Sequence, residues 1–115
     1  MNALTLAEQV ASAEGLQLFP IRGDSMEPTF YRGDFALVRA VDRWDGEGCY
    51  VLDLPFGPVL YRVAPAGGMA RLMSDNERYS TWEMPRDDLL GCLLAKAVFK
   101  LNVMDRRLVP DALRF

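Results

Sequence analysis

Residues 21–40 read IRGDSMEPTFYRGDFALVRA, and this stretch sets the frame for the rest. Gly-Asp occurs twice, at Gly23-Asp24 and Gly33-Asp34, and each pair is turn chemistry. After the second pair, Phe35, Leu37 and Arg39 alternate with Ala36, Val38 and Ala40, which is the period of a strand. Between the pairs lies Ser25-Met26-Glu27-Pro28. Taken alone, Ser25 has two readings: the cap of a short helical turn, or a nucleophile displayed on a bend. A nucleophilic serine needs a proton acceptor, and the chain contains no histidine. A Ser-His-Asp triad is therefore excluded.

Working outward, β signals dominate. Gln17–Arg22 precedes the motif as a strand candidate, and "DGEG" (45–48) is a turn. Cys49–Leu54 and Val59–Val63 flank "PFGP" as a hairpin. "APAGG" (64–68) turns into the strand Met69–Met73, and "SDNERYS" (74–80) is polar and turn-rich. Leu89–Phe99 is an apolar run read as a strand bent or bulged at Gly91. The tail VMDRRLVPDALRF is either a last strand or an arm on a partner. At the other end, Leu6, Val10 and Ala13 recur at helical spacing, which predicts a short amphipathic helix over 3–14, stopped by Gly15. The expected fold is mainly β and antiparallel with a short N-terminal helix. The expected division is a helix or arm over 1–15, a folded domain over 16–104 and a tail over 105–115.

The chain's 115 residues suffice for one domain with one core. Its two cysteines, Cys49 and Cys92, form no disulfide framework or metal knuckle, so no metal and no cofactor is expected. No apolar run is long enough to span a membrane, and MNALTLAEQVASAEG lacks the marks of a secretory signal. The expected compartment is the cytoplasm. Net charge is −3, and the basic residues, eleven Arg and two Lys, are scattered. Direct nucleic-acid binding by this chain is not expected.

In chain order, GDSMEPTF, a second Gly-Asp beginning eight residues beyond Ser25, then GPVLYRV, GGMARLMSDNERY and LLGCLLAKAV resemble the C-terminal domain of LexA and the phage repressors, self-cleaving relatives of signal peptidases. The resemblance covers about Phe19 to Val98. It implies a twisted antiparallel β fold and a Ser–Lys dyad. Ser25 would be the nucleophile, and the backbone N–H groups of Ser25 and Met26 would form the oxyanion hole.

The resemblance also exposes two departures. Where the family pattern has its lysine, in a segment like Val-Lys-Arg-Leu, this chain has Leu60-Tyr61-Arg62-Val63. Burial lowers a lysine's pKa toward that of a working base but raises a tyrosine's, because it disfavours whichever form is charged. A buried Tyr61 therefore stays protonated and takes no proton from Ser25; it either donates a hydrogen bond or simply packs. Arg62 stays charged and is no substitute. The two lysines, Lys96 and Lys100, fall on the late strand, which the family uses for its core and dimer contact. If that strand is regular, Lys96 and Lys100 share one face with Cys92, Leu94 and Val98. Secondly, the family's small-residue scissile pair is missing: no Ala-Gly or Cys-Gly precedes Ser25, and SAEG puts Glu14 between Ala13 and Gly15.

The expectation is a regulatory domain that dimerises, contacts a repressor or a recombinase filament, and no longer cuts itself. The other reading is an active Ser25 serine peptidase with a non-standard base. The chain has no helix-turn-helix, so it is expected to be part of a repressor or a stand-alone relative that pairs with one. Asp24, Asp34, Asp75 and Asn76 read as turn formers. Trp44, Trp82, Tyr31 and Tyr79 read as core or interface aromatics.

Overall fold

The computed structural model describes residues 15–114. The expected helix over 3–14 lies outside them. Seven strands form one sheet: β1 Gln17–Pro20, β2 Phe35–Ala40, β3 Gly48–Leu54, β4 Gly57–Ala66, β5 Met69–Met73, β6 Trp82–Pro85 and β7 Leu93–Leu101. Their spatial order is β1-β2-β7-β3-β4-β5-β6, and every neighbouring pair is antiparallel. The last strand thus closes the centre of the sheet, between two strands from the first half of the chain.

The tight turns fall where glycine permits them. Leu54 pairs with Gly57 across Pro55-Phe56, and Ala66 pairs with Met69 across Gly67-Gly68. The mainly antiparallel β expectation holds, with β2 and β5 at their expected bounds and β3 and β4 extended by a few residues.

The apolar run 89–99 divides. Arg86–Cys92 forms a short helix, α1, and the strand begins only at Leu93. Asp87 and Asp88 occupy the first turn of α1, where carboxylates suit the helix N-terminus. Leu89 is fully buried beneath the sheet. An apolar run of that length does not by itself distinguish buried helix from strand. β6 was not foreseen, because TWEMP is a short, polar edge strand. Among the described residues the tail contains two single 3₁₀ turns, Arg106–Leu108 and Asp111–Leu113, and no strand.

Two bulges interrupt β7, although neither is at Gly91. Partners of β2 jump from Phe99 to Ala97, and partners of β3 jump from Ala95 to Leu93, so Val98 and Leu94 are the extra residues. These bulges break the regular alternation. Lys96 lies opposite Tyr50 and Arg39, whereas Lys100 lies opposite Ala36. Tyr50 and Ala36 belong to different cores, so the two lysines are on opposite faces.

Those cores flank the sheet. One gathers Ile21, Met26, Phe30, Ala36, Val38, Val51, Leu60 and Ala95. The other gathers Tyr50, Leu52, Leu54, Val63, Ala70, Leu72 and Leu89. Along β3, Val51 faces the first core while Tyr50 and Leu52 face the second, the period-two alternation of a strand buried on both sides. The loop carrying Ser25 covers the first face and α1 covers the second. Met26 is 1 % exposed; truncating such a side chain to alanine costs about 2–5 kcal/mol. Residue 25 is therefore anchored by the core residue that follows it.

Candidate functional site

Ser25 is half-buried on the wall of a cleft of about 610 Å³. The cleft is largely apolar: Phe19, Ile21 and Met26 line one side, and Phe56, Pro58 and Leu60 the other. Phe56 is at the tip of the β3–β4 hairpin and is 72 % exposed, an apolar ring offered to solvent beside the serine.

Polar contacts hold the Ser25 loop from the β5–β6 connection. The Asn76 N–H donates to the Ser25 carbonyl at 2.9 Å, and its side-chain amide donates to the Asp24 carbonyl at 3.0 Å. The Tyr79 hydroxyl donates to the Asp24 carboxylate, as does Arg78 at 3.3 Å. The Tyr79 hydrogen bond, with the nearby arginines, holds the Asp24 carboxyl below its ordinary range. Arg62 and Asp75 form a two-pronged pair at 2.7 and 2.8 Å, and Asp75 also accepts from the Thr29 hydroxyl. Arg62 keeps the half-buried Asp75 ionised, its pKa lowered despite burial. Asn76 shapes its own turn, its side-chain oxygen accepting from the Arg78 N–H at 3.1 Å, and Asp75 and Asn76 together grip the serine loop from about fifty residues away.

The second Gly-Asp is held differently. Asp34 is 1 % exposed. It accepts from the Tyr31 N–H at 2.8 Å, the Val103 N–H at 2.8 Å and the Asn102 amide at 2.7 Å. Burial raises its pKa, but those donors and the nearby Arg106 charge outweigh it, so Asp34 stays below the ordinary carboxylate range.

Met26 lines the cleft beside Ser25. Among the described residues, no protein acceptor takes the backbone N–H of Ser25 or Met26. Tyr61 is one position beyond the cleft residue Leu60. Its ring packs edge-on against Trp82, with centroids 5.9 Å apart and planes at 81°, and against the second core. No hydrogen bond joins it to Ser25 among the described residues. Lys96 extends over the Tyr50 ring and donates to Asp45 at 2.7 Å. That ion pair pushes the Lys96 pKa up, the wrong direction for a base at neutral pH. Lys100 is exposed, and neither lysine lines the cleft.

Sequence reasoning missed Phe56 and the reach of Asp34. Nothing in PFGP distinguishes a cleft wall from an ordinary hairpin tip, and the donors to Asp34 lie near the far end of the chain. Among the described residues no group of acidic, cysteine or histidine side chains is placed to hold a metal ion. No helix among them is long and apolar enough to cross a membrane.

A serine on a bent, clamped loop beside an apolar cleft, on a curled antiparallel sheet, defines a serine-peptidase-like domain. The family model Peptidase S24-like matches residues 2–93, and the chain belongs to that family, the one to which LexA and the signal-peptidase-like domains are assigned. No curated protein matches the chain.

Proposed function

We propose that this chain is a LexA-like regulatory domain that acts by binding and self-association and does not cleave itself. The observation that carries this reading is the state of the candidate bases. Position 61 holds a phenol packed on Trp82, and the Lys96 amine is kept charged by Asp45. Among the described residues no lysine lines the Ser25 cleft, so none of them brings an amine to take the hydroxyl proton. Self-association is supported by exposed apolar side chains at the end of β7 and beyond it, including Phe99, Leu101, Met104 and Leu108, because apolar groups left in water favour a partner that covers them. A second copy of this chain is the proposed occupant. Light scattering on a size-exclusion column would then give twice the chain mass; the mass of one chain at micromolar concentration would refute self-association.

A second reading, an active Ser25 peptidase, is favoured by the N–H groups of Ser25 and Met26, which meet no acceptor among the described residues and suit an oxyanion. The two readings separate by mass spectrometry after incubation at alkaline pH, with and without a recombinase filament. The binding reading predicts an intact chain. Fragments that vanish in Ser25→Ala would establish the peptidase instead. Tyr61→Lys sharpens the test. Side chain 61 leaves β4 on the face of the second core, away from the Ser25 cleft. Cleavage of a cleavage-site peptide should therefore stay at the wild-type level. A Ser25-dependent rise of about 10²–10⁴-fold, the usual contribution of a positioned base, would favour the peptidase reading.

A further inference from the structure

The C-terminal segment that follows β7 returns to the serine loop. Asn102 donates to the Asp34 carboxylate at 2.7 Å and reaches the Thr29 carbonyl at 3.4 Å. The Val103 N–H donates to the other Asp34 oxygen at 2.8 Å. Arg106 lies across Gly33, so close that a Cβ on that residue would overlap the guanidinium. Gly33 has φ of +95°, a conformation that disfavours side chains in any case. Thr29, Gly33 and Asp34 all belong to the loop that begins at Ser25. The loop is also tied to Ile21, just past β1: Gly33 N–H to the Ile21 carbonyl and Ile21 N–H to the Asp34 carbonyl, both 2.9 Å.

We infer that residues 102–106 form a clasp that positions the Ser25 loop, with Asn102 the positioning residue and the buried Asp34 carboxylate its catch. The clasp is independent of the grip from Asn76 and Asp75, which enters from the β5–β6 side. It lies beyond the residues that the family model matches, which end at 93. It is also an isolated attachment. Met104 within the clasp is wholly exposed and Leu108 just past it is 78 % exposed, so the segment is held mainly by polar contacts to the loop. Removing those contacts frees the loop without unpacking the sheet. The inference concerns the position of Ser25 and holds for either reading of its chemistry.

Hydrogen exchange followed by mass spectrometry on the full chain tests it. In Asn102→Ala, peptides covering 25–34 should exchange about tenfold faster, the effect of losing one hydrogen bond to a charged group. In Asn102→Asp, which sets a second carboxylate against Asp34, they should exchange faster still. Peptides from β3 and β4 should keep wild-type rates. Arg106→Ala repeats the test at an exposed position and leaves Asp34 itself untouched, so it reports even if the Asn102 variants fold poorly. Arg71→Ala removes the ion pair with Glu83 between β5 and β6 and should leave 25–34 unchanged. A rise confined to 25–34 supports the clasp. No local rise in any of the clasp variants, or an equal rise across the whole sheet, overturns it. Residue 25 is read directly with Ser25→Cys as reporter. Alkylation of that thiol by iodoacetamide should accelerate at least about threefold when Asn102→Ala is added, and an unchanged rate overturns the positioning role.

Discussion

Gly23-Asp24 and Gly33-Asp34 are the same dipeptide flanking one loop, and the fold uses them in opposite ways. Around Gly23 a Cβ would meet open space; at Gly33 it would meet the Arg106 guanidinium. The Asp24 side chain is 42 % exposed and bonds to Tyr79 and Arg78 at the surface. Asp34 is buried and accepts three hydrogen bonds, one from nearby Tyr31 and two from the distant Asn102 and Val103. The first pair adjoins the serine and is left accessible, while the second is the loop's anchor. Identical local chemistry yields an exposed bend in one place and a structural lock in the other, because only the second is met by a segment arriving from the C-terminus.

Breaking the lock should have the largest effect. Asp34→Ala strands the donors of Tyr31, Asn102 and Val103 in a buried site and should cost about 3–5 kcal/mol, read as a lower urea midpoint. A loss below about 1 kcal/mol would equate the two turns. Next comes Gly33→Ala, which combines a disfavoured backbone angle with displacement of Arg106 and should cost about 1–2 kcal/mol. Gly23→Ala, with room for the methyl group, should stay within about 0.5 kcal/mol. Equal losses at the two glycines would contradict the distinction. Asp24→Ala should shift the urea midpoint least of these carboxylate and glycine changes, since Asp24 and its partners lie at the surface. Its expected readout is faster exchange at residues 76–79, once the contacts from Tyr79 and Arg78 are gone.

The difference also predicts a pH dependence. Asp34 and Asp75 both have folded-state pKa values below the ordinary 3.8. Each carboxylate therefore contributes stability that is fully present above that value and is lost as pH falls through the lowered one. Urea unfolding between pH 6 and pH 2 should show stability declining from about pH 4 downward. The slope should flatten in Asp34→Asn, which has no ionisation to lose. An unchanged slope in that variant would assign the acid sensitivity elsewhere.

Much of this was legible locally. Alternation in FALVRA fixed β2, and glycines at 57 and 67 marked hairpins whose flanking strands paired as expected. GDSM and LYRV carry the resemblance that sets Ser25 at the family's serine position and Tyr61 at its lysine position, and both motifs are short and local. Leu89–Phe99 was misread because apolarity reports burial and not the kind of element being buried. The lysines were misread as neighbours because a bulge at Val98 depends on pairing with β2, which the strand's own residues do not encode.

By itself, the sequence determined the β character and the family pattern, and through that resemblance it marked Ser25 and Tyr61 as the positions to inspect. The β character follows from residue types and short spacings. Only the tertiary structure decided that Asp34 is a buried catch, that Lys96 is held charged by Asp45, and that Phe56 walls the Ser25 cleft. Each of those depends on groups far apart in the chain being brought within a few ångströms. Hydrogen bonds and ion pairs act only at that range, so their partners appear only once the sheet has set its register.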